Sequence, residues 1–318
     1  MYNAIFSFNT DPLRSGEAAF NAQLSAKIGA QYHHVSSAFE YMRNKIDGRY
    51  LFSFKMQNIP DLEIEVLCEL HKNILALSIH YDIFFHSFSY LKEEQLLLPN
   101  AKNIYVGNNL IQSKLKEKNI YSTLIGIPPL LVKSPNISRK TFTSKQCLKL
   151  FSFGMYHKFH RNAHLFLAKK LRKFNINYKI VFSLRKHEKD ITNSHTLIPN
   201  YIKEIYGEKA SVLVNLPDDN LLNEIHLCDS LVLLYEDGLL ANNTTATLGL
   251  SRKKAVITNL GIHSPSWHKH NVNCLDFNLM TKTDLDPVNL NKIERQGFQS
   301  IERNNTWALV MNQLNHEV

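Results

Sequence analysis

Short apolar runs alternate with amphipathic segments along almost the whole chain, and this alternation constrains the fold more than any other feature. YNAIFSF at residues 2–8 precedes GEAAFNAQLSAKIG at 16–29, whose apolar residues recur at helical spacing. The same order recurs through NIYVG at 103–107 and IYSTLIGIP at 120–128. Short strands separated by helical segments are typical of parallel sheets with crossover helices. We therefore expect an α/β protein.

A polar stretch without periodicity interrupts the alternation. Pro128 and Pro129 end the first series of strands and helices, and VKSPNISRKTFTSKQ follows at 132–146. The alternation restarts with LKLFSFG at 148–154, and a chain of 318 residues is long enough for two domains. We predict two doubly wound, Rossmann-like domains that face each other across a cleft. The expected ranges are 1–135 for the first domain and 146–290 for the second. Residues 291–318 are expected to form terminal helices that pack back on the first domain.

Composition narrows the classes of partner. The formal net charge of +9 favours anionic partners, namely nucleic acid, an acidic membrane surface or phosphorylated small molecules, or it reflects a generally basic surface. The four cysteines are scattered without a CxxC pair, which argues against a zinc site or a disulfide framework and fits a reducing compartment. We find neither a signal peptide nor a membrane-spanning apolar run, so we expect a cytoplasmic protein that lies in solution or against a membrane.

A cationic loop follows the first strand of the second half. Gly154 lets the backbone leave this strand and approach a ligand, and Lys158 and Arg161 come just before a helix that starts near Asn162. Lysine, arginine and the amino end of a helix all attract anions. The alternative interpretation is a solvated basic turn.

A second strand–loop–helix transition lies at residues 233–250. The strand ends at Tyr235, Glu236 follows it, and the small polar residues 242–247 open a short helix. Such a helix start can bind a diphosphate, and Glu236 can accept hydrogen bonds from sugar hydroxyls. Asparagine and threonine are also common at helix starts for purely structural reasons.

The order of these features resembles the large retaining family of GT-B glycosyltransferases, which includes sucrose synthase and many bacterial polysaccharide glycosyltransferases. The resemblance covers the layout of nearly the whole chain, and Arg161–Asn162 stands where the family usually has Lys–Gly. It implies that Lys158 and Arg161 stabilise the departing diphosphate and that Glu236 matches the first glutamate of the family's two-glutamate motif. The nucleotide sugar is then expected to contact the following residues: Gly16, Gly154, Arg185, Lys186, Asn242, Asn243, Thr244 and Thr245.

The sequence departs from the family at two positions. Thr244 stands where the second glutamate is expected, and Lys253 replaces the glycine before the next strand. These differences leave the donor sugar and the stereochemical outcome open. In the first half, His80 follows an apolar segment and is a candidate for contact with a sugar hydroxyl or for a catalytic base, with a core or interface histidine as the alternative.

The leading hypothesis is a metal-independent glycosyltransferase of bacterial surface polysaccharide synthesis, with a nucleotide-diphosphate sugar as donor and a glycan or lipid-linked acceptor. No cofactor is required, since lysine, arginine and helix dipoles can neutralise a diphosphate, and no HExxH motif occurs. The alternatives are an epimerase or phosphorylase of the same architecture, and a sugar-nucleotide or nucleic-acid binding protein without activity. Nucleic acid is not expected, because the cationic residues are dispersed along the chain.

Overall fold

The computed structural model describes two compact units. The N-terminal unit comprises Met1–Leu130 with Trp307–Val318, and the C-terminal unit comprises Leu131–Thr306. The residues described are 2–12, 15–45, 47–55, 61–77, 79–87, 96–130, 147–185 and 194–315. The polar stretch at 132–146, which we interpret as the linker between the domains, therefore lies outside the described residues.

The sheet of the N-terminal unit has six parallel strands. They are β1 (Ala4–Ser7), β2 (Gln31–His34), β3 (Tyr50–Lys55), β4 (Tyr81–Ser87), β5 (Ala101–Val106) and β6 (Thr123–Leu124). Their spatial order is β2-β1-β3-β4-β5-β6, which is the flavodoxin-like order of doubly wound folds. Successive residues of β1 enter opposite cores: Phe6 packs on one face of the sheet and Ile5 on the other. Both faces are covered, as a parallel sheet requires.

Helices cover both faces of this sheet. They are α1 (Gly16–Ile28), α2 (Ala38–Arg43), α3 (Asp61–Leu77), α4 (Asn109–Lys116) and, from the end of the chain, α10 (Trp307–Asn315). Ser15 caps α1, and Gly29 ends it in a left-handed conformation with φ 69°. In α10, Trp307 stacks on Phe20 with ring centroids 5.3 Å apart. The segment 291–318, which the sequence analysis sets apart as one piece, is divided between the two units after Thr306.

The C-terminal unit also has six parallel strands. They are β7 (Leu148–Met155), β8 (Tyr178–Arg185), β9 (Ala210–Val214), β10 (Ser230–Val232), β11 (Ala255–Thr258) and β12 (Leu275–Asp276). Their spatial order is β12-β11-β10-β7-β8-β9, the order of a Rossmann fold. The order reverses between β7 and β10: the chain adds β8 and β9 on one side of this pair of strands and β11 and β12 on the other. The expectation of two Rossmann-like α/β domains is confirmed.

Five helices pack on the described sheet of the C-terminal unit. They are α5 (Arg161–Lys173), α6 (Ser194–Tyr206), α7 (Asp218–Leu227), α8 (Thr244–Ser251) and α9 (Pro287–Asn304). On one face Leu167 of α5 packs with Leu150 of β7, and on the other face Leu248 of α8 packs with Leu231 of β10. The strands therefore present their carboxyl ends, with the loops that follow, at one edge of a sheet buried on both faces.

Candidate active site

A small pocket lies where the strand order of the C-terminal unit reverses. It has a volume of about 40 Å³ and is lined by the ends of β7 and β8 and by the chain that follows β10. Ligands of doubly wound folds bind at this position, because the loops from the two switch-point strands part and leave a crevice between them. The lining residues are Ser152, Phe153, Gly154, Met155, Lys158, Phe159, His164, Phe182, Leu184, Leu233, Leu234, Tyr235 and Thr245.

Three residues predicted from the sequence meet in this pocket, namely Gly154, Lys158 and Thr245. Lys158 ends the 3₁₀ turn Tyr156–Lys158 and is exposed. A Cβ atom on Gly154 would meet no atom within 4 Å, so the missing side chain leaves backbone accessible at the pocket wall. The pocket thus combines a cationic group, open backbone and the start of α8, which together suit an anion.

Hydrogen bonds hold the chain after β10 against its neighbours. The Tyr235 hydroxyl and Thr245 Oγ1 are 2.7 Å apart. Tyr235 also exchanges two bonds with the side chain of Asn259: its N–H donates to Oδ1 at 2.8 Å, and its carbonyl accepts from Nδ2 at 2.6 Å. Burial raises the pKa of the Tyr235 phenol, so the hydroxyl stays protonated. These bonds place Thr245 at the pocket.

A tight turn follows Tyr235. Gly238 has φ 80°, and a Cβ atom on it would lie 2.7 Å from the backbone nitrogen of Gly261. Only glycine fits this left-handed position, because the obstacle is backbone and cannot move aside like a side chain. The turn brings the loop with Glu236 against the loop that follows β11.

His164 is a lining residue that the sequence analysis does not single out. Its ring is stacked on Phe159, with centroids 4.7 Å apart, and its Nδ1 lies 3.0 Å from the Tyr206 hydroxyl. Burial lowers the pKa of His164 to about 3, with a smaller contribution from His160, so the ring is neutral at pH 7. It is thus a polar wall of the pocket without charge. The sequence signal that identifies His164 as a buried residue is helical spacing, because His164 shares the inward face of α5 with Leu167 and Leu171.

Comparison with known proteins places this geometry among solved glycosyltransferase structures. HepE from Anabaena, solved in complex with UDP, matches 100% of this chain and 99% of its own with a TM-score of 0.71 at 10% identity. The lipopolysaccharide outer core galactosyltransferase WaaB matches 100% of both chains with a TM-score of 0.64 at 10% identity. The match to sucrose-phosphate synthase from Thermosynechococcus elongatus covers 99% of this chain and 98% of that protein's chain, with a TM-score of 0.65 at 12% identity. No protein-family model and no curated protein matches the sequence.

The chain has the GT-B fold. Identities of 10–12% over essentially the full lengths establish the architecture and leave the reaction to the residues. The resemblance drawn from the sequence is confirmed at the level of the fold. The GT-B assignment also accounts for the two consecutive doubly wound units.

Arg161 is not brought to the GT-B switch-point pocket. It is the first residue of α5, and its Nη2 lies 3.0 Å from an Oε2 of Glu204 on α6. Its guanidinium also lies over the ring of Tyr201, 4.2 Å from the centroid. Both partners belong to the helix beside α5, so the guanidinium is directed along that helix pair. This placement differs from the expected contact with a diphosphate.

Arg185 lies at the edge of the pocket. It ends β8 and is in register with Met155 of β7, a lining residue. Its Nη2 is 3.2 Å from Oδ1 of Asp218 at the start of α7, and both side chains are about half exposed. Lys186, which the sequence analysis groups with Arg185, lies outside the described residues.

Of the donor residues predicted after β10, some lie away from the pocket and one lines it. Glu236 is exposed in the turn, and it does not line the pocket. Asn243 uses its Oδ1 to accept a hydrogen bond from the backbone N–H of Leu240 at 2.5 Å, which closes the turn before α8. Asn242 and Thr244 are half-buried at the helix start. Of this set, the structure brings Thr245 to the pocket.

The candidates of the N-terminal unit lie at opposite edges of its sheet. Gly16 begins α1, which follows the carboxyl end of β1. His80 is exposed and directly precedes β4, so it lies at the amino end of that strand. The expected role of His80 near a ligand at the carboxyl edge does not agree with this position. The apolar segment ends in His86 instead.

His86 belongs to a buried polar cluster at the carboxyl edge of the N-terminal sheet. Ser53 Oγ lies 2.9 Å from His86 Nε2 and donates to Asn21 Oδ1 at 2.6 Å. Ser7 Oγ donates to Glu17 Oε1 at 2.6 Å. Burial, with a smaller contribution from Lys55, lowers the pKa of His86 to about 3. The His86 ring is therefore neutral at pH 7.

The described part of the chain shows neither a cluster of metal-ligating side chains nor a helix suited to a membrane. No group of three or more histidine, cysteine or acidic side chains that could hold a metal ion occurs among these residues. None of the described helices combines the length and the apolar character of a membrane span. All four cysteines are free thiols, and burial raises the pKa of Cys228 and Cys274 to about 12.

Proposed function

We propose that this protein is a glycosyltransferase whose donor, a nucleotide-diphosphate sugar, binds at the switch-point pocket of the C-terminal unit. The observation that carries the proposal is the meeting of Gly154, Lys158 and Thr245 in that pocket. The sequence alone also predicts these three residues as contacts of the donor. The structures of HepE with UDP and with UDP-glucose support the donor class, because HepE shares the fold.

Charge stabilisation is the chemical role that we propose for this pocket. Transfer of the sugar leaves a nucleoside diphosphate with increased negative charge on its oxygen. Lys158 and the amino end of α8, where Thr244 and Thr245 lie, supply positive charge and N–H donors to that oxygen. Such preorganised groups often contribute the largest share of an enzyme's acceleration. We propose that they act without a metal ion.

The other candidate residues receive roles that follow from their positions. Lys158, rather than Arg161, makes the main diphosphate contact, because Lys158 lines the pocket whereas Arg161 lies outside the lining, against Glu204 and Tyr201. Arg185 lies close enough to the pocket edge to guide the anion in. Glu236 accepts hydrogen bonds from donor hydroxyls, as an exposed carboxylate just beyond the strand end.

The acceptor is proposed to bind the N-terminal unit. Gly16 is exposed at the start of α1, at the carboxyl edge of that sheet, and a Cβ atom on it would meet no atom within 4 Å, so backbone there is open to a glycan. The buried cluster of Ser7, Glu17, Ser53 and His86 supports the same edge from within. WaaB, which shares the fold, acts in the lipopolysaccharide outer core, and this favours a glycan or lipid-linked acceptor in bacterial surface polysaccharide synthesis. The net charge of +9 suits a cytoplasmic enzyme that contacts an acidic membrane surface.

Titration calorimetry with UDP, GDP, ADP and CMP tests the donor site. We expect one nucleoside diphosphate to bind the whole chain and to bind Lys158→Ala at least about tenfold more weakly, a loss of one charge-assisted contact. Lys149→Ala is the matched control, because Lys149 is exposed at the amino end of β7 and should leave the affinity unchanged. Absence of binding by every nucleotide overturns the proposal. An EDTA-treated sample that no longer binds contradicts metal independence.

One alternative has a specific observation in its favour. Thr244 lies where the resembled family has its second glutamate, so the protein could bind a sugar nucleotide without transferring the sugar. Hydrolysis of the matching nucleotide sugar, followed by nucleotide release, separates the two functions. Binding without any hydrolysis or transfer, with acceptor glycans present, would establish the noncatalytic alternative.

A further inference from the structure

A second pocket lies at the opposite edge of the C-terminal sheet, and the proposed function leaves it without a role. It has a volume of about 300 Å³ and is formed by α7, the end of α8, and α9. Its residues Arg252 and Lys253 come just before β11, so it adjoins the amino ends of the strands. The switch-point pocket adjoins the carboxyl ends, and the two pockets are therefore separate sites.

The lining of this second pocket has an apolar part and a cationic part. Leu222 and Ile225 of α7 are buried, and they form an apolar surface together with the ring of Phe298. Arg252 and Lys253 contribute two permanent positive charges. His226 and Ser251 complete the lining, and the volume is at the lower end of the range of small-molecule sites.

Lys253 adopts a backbone conformation that is unusual for its residue type. In the described part of the chain, five residues other than glycine have positive φ, and four of them are asparagines: Asn119, Asn175, Asn215 and Asn271. The fifth is Lys253, with φ 55°. Asparagine tolerates this left-handed region, whereas lysine at such a position costs about 1–2 kcal/mol. The left-handed backbone itself closes the end of α8, where the Lys253 N–H donates to the Leu250 carbonyl and the Lys254 N–H to the Gly249 carbonyl. What the closure does not require is a lysine side chain at a position that suits glycine or asparagine.

The Lys253 side chain is directed over the pocket wall. Its Nζ lies 4.8 Å from the centroid of the Phe298 ring, which keeps the ammonium at the boundary between the apolar and cationic parts. Burial lowers the pKa of Arg252, which shows that its guanidinium is partly removed from water. Both cations line the pocket and would attract an anion bound there.

The surrounding helices are fixed in place. Lys254 is buried, and its Nζ donates to the carbonyls of His226 and Cys228, each at 2.7 Å. These carbonyls end α7, so Lys254 ties the helix that carries Leu222 and Ile225 to the start of β11. The pocket is thus built on rigid elements and adds a third positive charge behind its floor.

We propose that this pocket, formed by Leu222, Ile225, Phe298, Arg252 and Lys253, binds a phosphate monoester of an aromatic or alkyl alcohol. The phosphate would lie between Arg252 and Lys253, and the organic group would lie on the apolar surface. Arginine and lysine are the side chains that bind phosphate in proteins, and the apolar walls select against inorganic phosphate alone. The inference is independent of the proposed transferase activity.

Calorimetric titration of the full chain with phenyl phosphate and with hexyl phosphate tests the proposal. We expect at least one ester to bind about tenfold or more tightly than inorganic phosphate, and phenol to bind no better than phosphate. Lys253→Asn should weaken ester binding about tenfold while the melting temperature stays equal or rises, because asparagine tolerates the left-handed backbone. Lys282→Gln, an exposed charge removed elsewhere in the unit, should change nothing.

Further variants separate this pocket from the donor site. Lys158→Ala should leave ester binding unchanged, and UDP should not displace the ester. Failure of both esters to bind overturns the proposal, as does equal affinity of the native chain and Lys253→Asn. Displacement of the ester by UDP would assign the binding to the switch-point pocket and overturn it as well.

Discussion

The Tyr235 hydroxyl and Thr245 Oγ1 lie 2.7 Å apart, and this contact joins the chain after β10 to the first turn of α8. Because Tyr235 is also tied to Asn259, the contact fixes Thr245 at the switch-point pocket. A hydroxyl so placed links the core of the unit to the candidate donor site.

Tyr235→Phe should therefore weaken nucleotide binding without unfolding the protein. We expect a loss of roughly 1 kcal/mol in the free energy of unfolding for one hydrogen bond, and an affinity for the nucleoside diphosphate about three- to tenfold lower. Calorimetry and urea denaturation measure the two quantities. Tyr121→Phe, at a 94% exposed tyrosine, is the control. Unchanged affinity in Tyr235→Phe would show that Thr245 needs no such support.

Lys158 and Arg161 should differ in their effects on binding. Lys158→Ala is expected to lower the nucleotide affinity about tenfold or more, whereas Arg161→Ala should lower it by less than about threefold. The reason is that the Arg161 guanidinium pairs with Glu204 and lies over Tyr201. An equal or larger loss in Arg161→Ala would mean that Arg161 leaves Glu204 when the nucleotide binds.

Gly238→Ala should disrupt the loop that carries Glu236. The added Cβ lies 2.7 Å from the Gly261 nitrogen, and φ 80° is unfavourable for alanine, so we expect destabilisation of about 2–4 kcal/mol. Gly207→Ala has a comparable φ of 60° but no atom within 4 Å of its Cβ, which isolates the cost of conformation from that of the contact. Thermal unfolding compares the two variants. Equal losses in both would remove the argument from backbone contact.

Asp82→Asn should destabilise the N-terminal unit by about 3 kcal/mol. Asp82 is 1% exposed, and its Oδ2 accepts from the Arg49 Nη2 at 2.9 Å and from the Tyr2 hydroxyl. The substitution leaves the Arg49 guanidinium without its carboxylate, while Glu40→Gln breaks the exposed pair with Arg43 at a cost of about 0.5 kcal/mol or less. Chemical denaturation measures the free energy of unfolding of both variants. Similar losses would contradict the prediction that the buried Asp82–Arg49 pair stabilises the protein more than the exposed Glu40–Arg43 pair does.

Acid should destabilise the C-terminal unit through His164. Burial lowers its pKa to about 3 from an ordinary value of 6.5, so the unfolded chain binds a proton before the folded chain does. The free energy of unfolding should therefore fall as the pH drops from about 6.5 toward 3, by about 1.4 kcal/mol per pH unit, with no contribution above pH 7. His164→Phe should reduce this slope by about 1.4 kcal/mol per pH unit in denaturation experiments between pH 6 and 4, while His268, whose pKa burial also lowers to about 3, keeps its own contribution. An unchanged slope would refute the assignment to His164.

The fold could be predicted from the sequence because its signal is local. In β7, Leu150 and Phe151 enter cores on opposite faces, and α5 presents Leu167 and Leu171 on one side. Each pattern arises from burial of a single element, which the order of apolar residues records directly. The cationic turn with Gly154 and Lys158 was likewise readable, since the carboxyl ends of parallel strands share one edge.

Long-range neighbours and the edges of the sheets were decided only by the tertiary structure. Arg161 meets Glu204, 43 residues away, because two helices pack side by side, and nothing in a basic turn specifies that partner. His80 lies at the amino end of β4 because the apolar residues before it belong largely to α3, which ends at Leu77, and the strand begins at Tyr81. Lys253 stands where the resembled family has a glycine, and it becomes a pocket residue only because α7, α8 and α9 converge around it. Apolar periodicity specifies what is buried, whereas the position of each polar group depends on which elements lie beside it.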